Sequence, residues 1–148
     1  MVNAPQMLIP WTDCVQGIYE CTIPARLREI AIVRQAARAK AGYELHQHTL
    51  IALANGLSEE ELQVLRNPAL VTSFSEEENL VCAMSDQLEA SANLDDETYE
   101  RARTVFEPRQ FVEVISVISF YCAVARFTSA TRIAVEKDNP LAGRASPN

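Results

Sequence analysis

The chain has 148 residues, 48% hydrophobic and 22% charged, the make-up of one globular domain long enough to bury a core. A formal net charge of −7 without a long basic run excludes nucleic acid as the expected partner, and only 4 glycines argue against a turn-rich β fold. No apolar run reaches the ~20 residues of a bilayer span, so no membrane partner is expected.

MVNAPQMLIPWTD, at the N-terminus, lacks a basic segment followed by a long apolar stretch, so no secretory signal is read there. Cys14, Cys21, Cys82 and Cys122 form no C-x-x-C pair. They are expected to be reduced, mostly buried thiols in a cytoplasmic protein.

In chain order the pattern is helical throughout. Pro5 to Tyr19 is apolar and aromatic, with Pro10 expected to kink or restart it. Thr22-Ile-Pro24 opens a second helix. Leu27, Ile30 and Ala31 form its apolar side, and Arg26, Arg28, Arg34, Arg38 and Lys40 lie mostly outside that side. Gly42 reads as the break before a third helix running from Tyr43 to Asn55, with Gly56 as its left-handed stop.

Ser58-Glu-Glu-Glu61 and Ser75-Glu-Glu-Glu78 are capping boxes that start two more helices. The first of these ends before Asn67-Pro68, and the second carries Leu80, Val81, Met84 and Leu88. Asp95 or Asp96 caps another helix through Val105, and Pro108 opens the last. That last helix is nearly apolar all round from Val114 to Ala125, which calls for burial on several sides in the domain centre or at a subunit interface. The expected fold is a single all-α domain over residues 1–136, a bundle of six to seven helices, followed by a polar tail over 137–148.

The polar cluster lies in Tyr43-Glu-Leu-His-Gln-His48. Glu44 and His48 are spaced i, i+4 and share a helix face, close enough for a carboxylate–imidazole hydrogen bond suited to acid–base chemistry. Free N–H groups in the first turns would favour an anion there and lower the pKa of a nearby histidine. His46 diverges from His48 by ~200° on a helix. H-x-H is therefore a weak metal signal, and no H-E-x-x-H or cysteine cluster accompanies it, so no metal is expected. A solvated, capped helix start remains the bland alternative for the whole cluster.

Ile23-Pro-Ala-Arg-Leu-Arg-Glu-Ile-Ala-Ile-Val-Arg34, then Tyr43 to His48, then Ala52-Leu-Ala-Asn-Gly-Leu-Ser58, resemble the carboxymuconolactone decarboxylase / alkylhydroperoxidase D-like family. The similarity extends to Phe120-Tyr-Cys-Ala-Val-Ala-Arg-Phe127 and back to Pro5 and Trp11. The peroxidase branch carries E-x11-C-x2-C-x3-H. Here the glutamate falls on Glu29 and the histidine on His48, while Ala41 and Glu44 stand at the cysteine places. Without those thiols, peroxidase chemistry is not expected, and Cys14 and Cys21, i, i+7 or ~10 Å apart on a helix, cannot replace them.

The resemblance implies a cofactor-independent lyase or isomerase of the decarboxylase kind, acting on a small organic acid or lactone. His48 would be the general acid/base, Glu44 its orienting partner and Glu29 a second carboxylate. Trp11, Tyr43, His46 and Tyr121 are candidate substrate contacts; the alternatives are core or interface packing for Trp11, the usual place of a lone tryptophan, core packing for Tyr121, and plain surface for Tyr43 and His46. Arg126 is expected to bond Glu29 or Glu113, or else to meet a substrate carboxylate. Homo-oligomers, trimers or hexamers, are implied too. The alternative is a family member that binds a ligand without catalysis.

On one straight helix Glu29 and Glu44 would stand ~22 Å apart. They can share a pocket only if the chain turns near Ala41-Gly42, and convergence of Glu29, Glu44 and His48 is the expectation.

Overall fold

In the computed structural model, which describes residues 3–136, seven α-helices follow one another: α1 (Pro5–Tyr19), α2 (Ala25–Ala39), α3 (Gly42–Ala54), α4 (Glu59–Arg66), α5 (Glu76–Ser91), α6 (Asp96–Val105) and α7 (Pro108–Ala130). The expected polar tail over 137–148 lies outside the described residues. Both serine capping boxes form: Ser58 and Ser75 accept from the backbone N–H of Glu61 and Glu78, whose carboxylates accept from the serine N–H groups in return. Asp95, not Asp96, caps α6 through the N–H of Thr98. Gly56 ends the α3 region at φ +89°, a conformation that favours glycine. Pro10 stands inside a helix that continues past it.

The α2–α3 turn differs from expectation. The left-handed residue is Lys40, at φ 54°, and Ala41 is the residue that precedes α3. Gly42 is the first residue of α3 and has no positive φ, so its freedom is not what makes the turn. The turn nonetheless folds α3 back onto α2.

The centre of the bundle is α2, which packs against α3, α4, α5 and α7 and is buried continuously from Leu27 to Ala36. Its basic residues are therefore not all outside, as the apolar stripe suggested. Arg34 is fully buried. Its Nε and Nη2 each donate to Asp86 at 2.6 Å, and its remaining N–H groups reach the carbonyls of Leu65, Asn67 and Ala69. Every such contact answers the cost of desolvating the guanidinium, and together they pin the segment after α4 to the core.

Arg26 similarly bonds Glu61 and Glu78, so the two capping glutamates also tie α4 and α5 to α2. The glutamates that capping alone explained in the sequence thus have a tertiary role as well.

The last helix, α7, packs on α1, α2, α3, α5 and α6, with Val114, Val117, Ile118, Tyr121, Cys122 and Ala125 buried. At 23 residues it is long and apolar enough to span a bilayer by length and composition, contrary to the expectation that no run approaches that length. Here its buried face belongs to the core. Of the cysteines, Cys82 and Cys122 are buried, Cys21 is half-buried and Cys14 is exposed, so only two meet the expectation of burial.

Candidate functional site

The α2–α3 turn brings Glu29 to His48 across 19 positions of sequence: Glu29 Oε2 lies 2.8 Å from His48 Nδ1. Glu29 is fully buried and His48 nearly so. Glu29, not Glu44, is therefore the carboxylate that orients the imidazole. The i, i+4 spacing placed the wrong acid against it, because the partner comes from another helix. With Nδ1–H donating to the carboxylate, Nε2 holds the lone pair that can accept a proton.

Behind Glu29 stands Arg28, also buried, with Nε 3.7 Å from Glu29 Oε1 and its guanidinium 4.7 Å over the Tyr19 ring. The buried charges of Arg28 and Glu29 thus offset one another.

A pocket of about 330 Å³ opens in front of His48. Trp11, Val15 and Tyr19 come from α1, Phe120, Tyr121 and Val124 from α7, and Tyr43, Glu44 and Gln47 from α3. Trp11 packs at a tilt against Phe120 and Phe127, with centroids 5.2 and 5.5 Å away. Tyr121 meets His48 edge to face at 4.9 Å and shares a hydrogen bond with Tyr19. Burial holds the Tyr121 hydroxyl well above the usual phenol range.

Glu44 occupies the first turn of α3 and is 2% exposed. Neither carboxylate oxygen has a hydrogen-bond partner. Desolvation, reinforced by the charge of Glu89, pushes its pKa from 4.5 to about 8. At neutral pH it is an acid with a proton to give. At the pocket mouth Gln47 Nε2 donates to Glu136 Oε2 at 2.8 Å, and the Tyr43 hydroxyl reaches Oε1 at 3.4 Å.

Trp11, Tyr43 and Tyr121 line this pocket together with Glu44 and His48, and Glu29 is bonded behind the histidine. His46 does not join them. It lines a shallow cleft on another face with Leu45, Thr49, Leu50 and Arg66, as the angle between i and i+2 requires. Arg126 bonds neither Glu29 nor Glu113: it pairs with Glu89 at 3.5 Å and donates to the Cys122 carbonyl.

Sequence reading missed Arg28, Tyr19, Gln47, Glu89 and Glu136. Only Arg28, next to Glu29 in the chain, carried a local hint. Among the described residues no cluster of three His, Cys, Asp or Glu is arranged to hold a metal. A larger cleft of about 540 Å³ between α1 and α7 contains Cys14 and Cys21 but no histidine. Cys21 lies past the end of α1 and burial raises its thiol pKa, which disfavours the reactive thiolate.

The carboxymuconolactone decarboxylase family model matches residues 5–86, more than half of the chain. The chain belongs to the carboxymuconolactone decarboxylase family. Among curated proteins, none matches it by sequence. A crystal structure from Agrobacterium tumefaciens superposes with a TM-score of 0.84 at 15% identity, covering 93% of this chain and 98% of that one. That protein is described as of unknown function and provisionally as the antioxidant defence protein AhpD; at this identity the likeness speaks for the fold. In this carboxymuconolactone decarboxylase family member Ala41 is buried at the head of α3 and Glu44 faces the pocket, at the two places where the resemblance puts the peroxidase branch's cysteines.

Proposed function

We propose that this protein is a cofactor-independent acid–base enzyme, a lyase or isomerase acting on a small organic carbonyl or lactone-like compound. The observation that carries the reading is the contrast between two groups that line one pocket, one held by a hydrogen bond and one without a partner. His48 is oriented by Glu29 at 2.8 Å so that Nε2 can accept a proton, while Glu44 is buried, unpartnered and protonated near neutral pH. An imidazole oriented by one carboxylate beside a second, buried carboxyl that keeps its proton divides the base and acid roles between them. His48 removes a proton from carbon, and Glu44 donates to the oxygen where negative charge develops. Tyr121 and Trp11 fix the ring orientation and the wall against which substrate packs. Family membership supports the class, and Ala41 and Glu44 at the cysteine places speak against thiol peroxidase chemistry.

The test works whatever product the enzyme forms. In D2O, the protein should catalyse deuterium exchange beside the carbonyl in some of a panel of small ketones and lactones, followed by proton NMR. His48→Ala should lower that rate by about 10²–10⁴ while the helical circular dichroism spectrum stays intact. Unchanged exchange in the variant, or thiol-dependent peroxide consumption by the wild type in place of exchange, would reject the reading.

A further inference from the structure

We infer that the pocket takes an uncharged carbonyl compound with a flat apolar body, and that the reaction is a proton shift beside the carbonyl rather than release of carbon dioxide. This rests on the acid–base reading above and narrows its substrate class. Trp11, Val15, Phe120 and Val124 give apolar walls for such a body. Among the described residues lining the pocket there is no lysine or arginine. The nearby cations lie outside the lining: Arg28 is buried beside Glu29 and over the Tyr19 ring, with Nε and Nη2 making no hydrogen bond, and Arg126 pairs with Glu89.

The charges that do face the site are negative. Glu136 stands at the mouth, where it takes the hydrogen bonds of Gln47 and Tyr43, the donors best placed to read a ligand carboxylate. An ionised substrate would lose its water and meet no cation in the lining. Glu44, by contrast, offers a buried acid whose oxygens have no protein partner, the complement of a neutral carbonyl oxygen.

A decarboxylase must hold the ionised carboxylate that it releases, and this pocket is built against one. The proton shift balances with the groups present. His48 Nε2 takes a proton from the carbon beside the carbonyl as that C–H bond breaks, and the Glu44 proton passes to the carbonyl oxygen, giving an enol. Glu44 then recovers the oxygen's proton while His48 returns its own to carbon, at the same atom or at the far end of a conjugated system. No oxidant, reductant or metal enters.

Trp11 is the only tryptophan and lines the site, so its fluorescence reads occupancy without turnover. Acetophenone and benzoate, matched in shape and differing in charge, are titrated into the full chain at pH 7. Acetophenone is expected to bind at least tenfold tighter. Glu44→Gln, whose amide still donates, should keep that binding, and Glu44→Leu should weaken it at least tenfold, with circular dichroism to check folding. If a variant fails to fold, the wild-type pair alone decides. Benzoate binding as tightly as the ketone, neither ligand binding, or folded Glu44→Leu binding acetophenone like wild type would overturn the inference. Ketone preference without deuterium exchange would instead sink the catalytic reading and leave the neutral-ligand specificity standing.

Discussion

Glu29 is buried between the Arg28 guanidinium and His48 Nδ1, whereas Glu44, four residues from the same histidine, has no hydrogen-bond partner for either oxygen. The position of Glu44 in the first turn of α3 favours the carboxylate by about 0.3–1 kcal/mol through the helix dipole. Desolvation acts the other way and wins, since the net effect raises its pKa from 4.5 to about 8. A folded value above the ordinary one means the folded state holds the proton more tightly. Stability is then fully present below about pH 4.5 and is lost as pH rises to about 8.

Glu44→Gln, which does not titrate, should gain on the wild type by on the order of 3–4 kcal/mol across that window. Urea denaturation at pH 5 and pH 8.5 reads this directly; an equal difference at both pH values would contradict it. The sequence pointed to Glu29, Glu44 and His48, but not to which of them bond one another, nor to Tyr19, Gln47 and Glu136 beside them. Spacing along one helix can only pair Glu44 with His48, and the pairing that forms crosses from α2. Spacing did separate His46, because an angle of ~200° on one helix holds whatever the tertiary packing.

At the scale of elements, the helix starts were the most legible feature, since a cap satisfies orphan N–H groups using residues within one turn. Ser58 and Ser75 act as their local sequence says, and of the two aspartates offered for α6 it is Asp95 that caps. Helix ends without glycine were harder. Composition pointed to Gly42 as the turn, yet Lys40 takes the left-handed conformation at φ 54°, held by the N–H of Lys40 and Ala41 bonding back to Ala37 and Ala36.

Gly42 is exposed, and an added Cβ would meet nothing within 4 Å. Gly42→Ala should therefore raise stability by about 0.5–1 kcal/mol by restricting the unfolded chain, with the Glu29–His48 pairing unchanged. A thermal melt showing destabilisation would mean the turn needs the glycine after all. The buried arginines were illegible for a different reason. Arg34 lies within the buried run of α2, where its cost is met by Asp86 and three carbonyls that lie 31 to 52 residues away in sequence, beyond the reach of any local pattern.

For the whole molecule, the weakly covered part is α1. Only Ile18 of its 15 residues is buried, although the helix is apolar. Met7, Leu8 and Ile9 are 52%, 46% and 68% exposed; three consecutive helical residues span ~200°, so the first half of α1 meets solvent on several sides. Val112 on α7, which shares the cleft between the two helices, is 60% exposed. Apolar surface left on a helix that also supplies Trp11 and Val15 to the pocket is the kind that an assembly covers. We propose a homo-oligomer, trimer or hexamer as the family resemblance implies, in which α1 is held between subunits and the pocket wall is thereby fixed. Sedimentation velocity should show an assembly several times the 16.5 kDa chain mass. Ile9→Lys, which places a charge on the exposed face, should shift it toward monomer at micromolar concentration and loosen the environment of Trp11, seen as a red shift in fluorescence. A wild-type monomer at tens of micromolar, or an assembly indifferent to Ile9→Lys, would place the interface elsewhere and leave α1 as a solvated wall of a self-sufficient site.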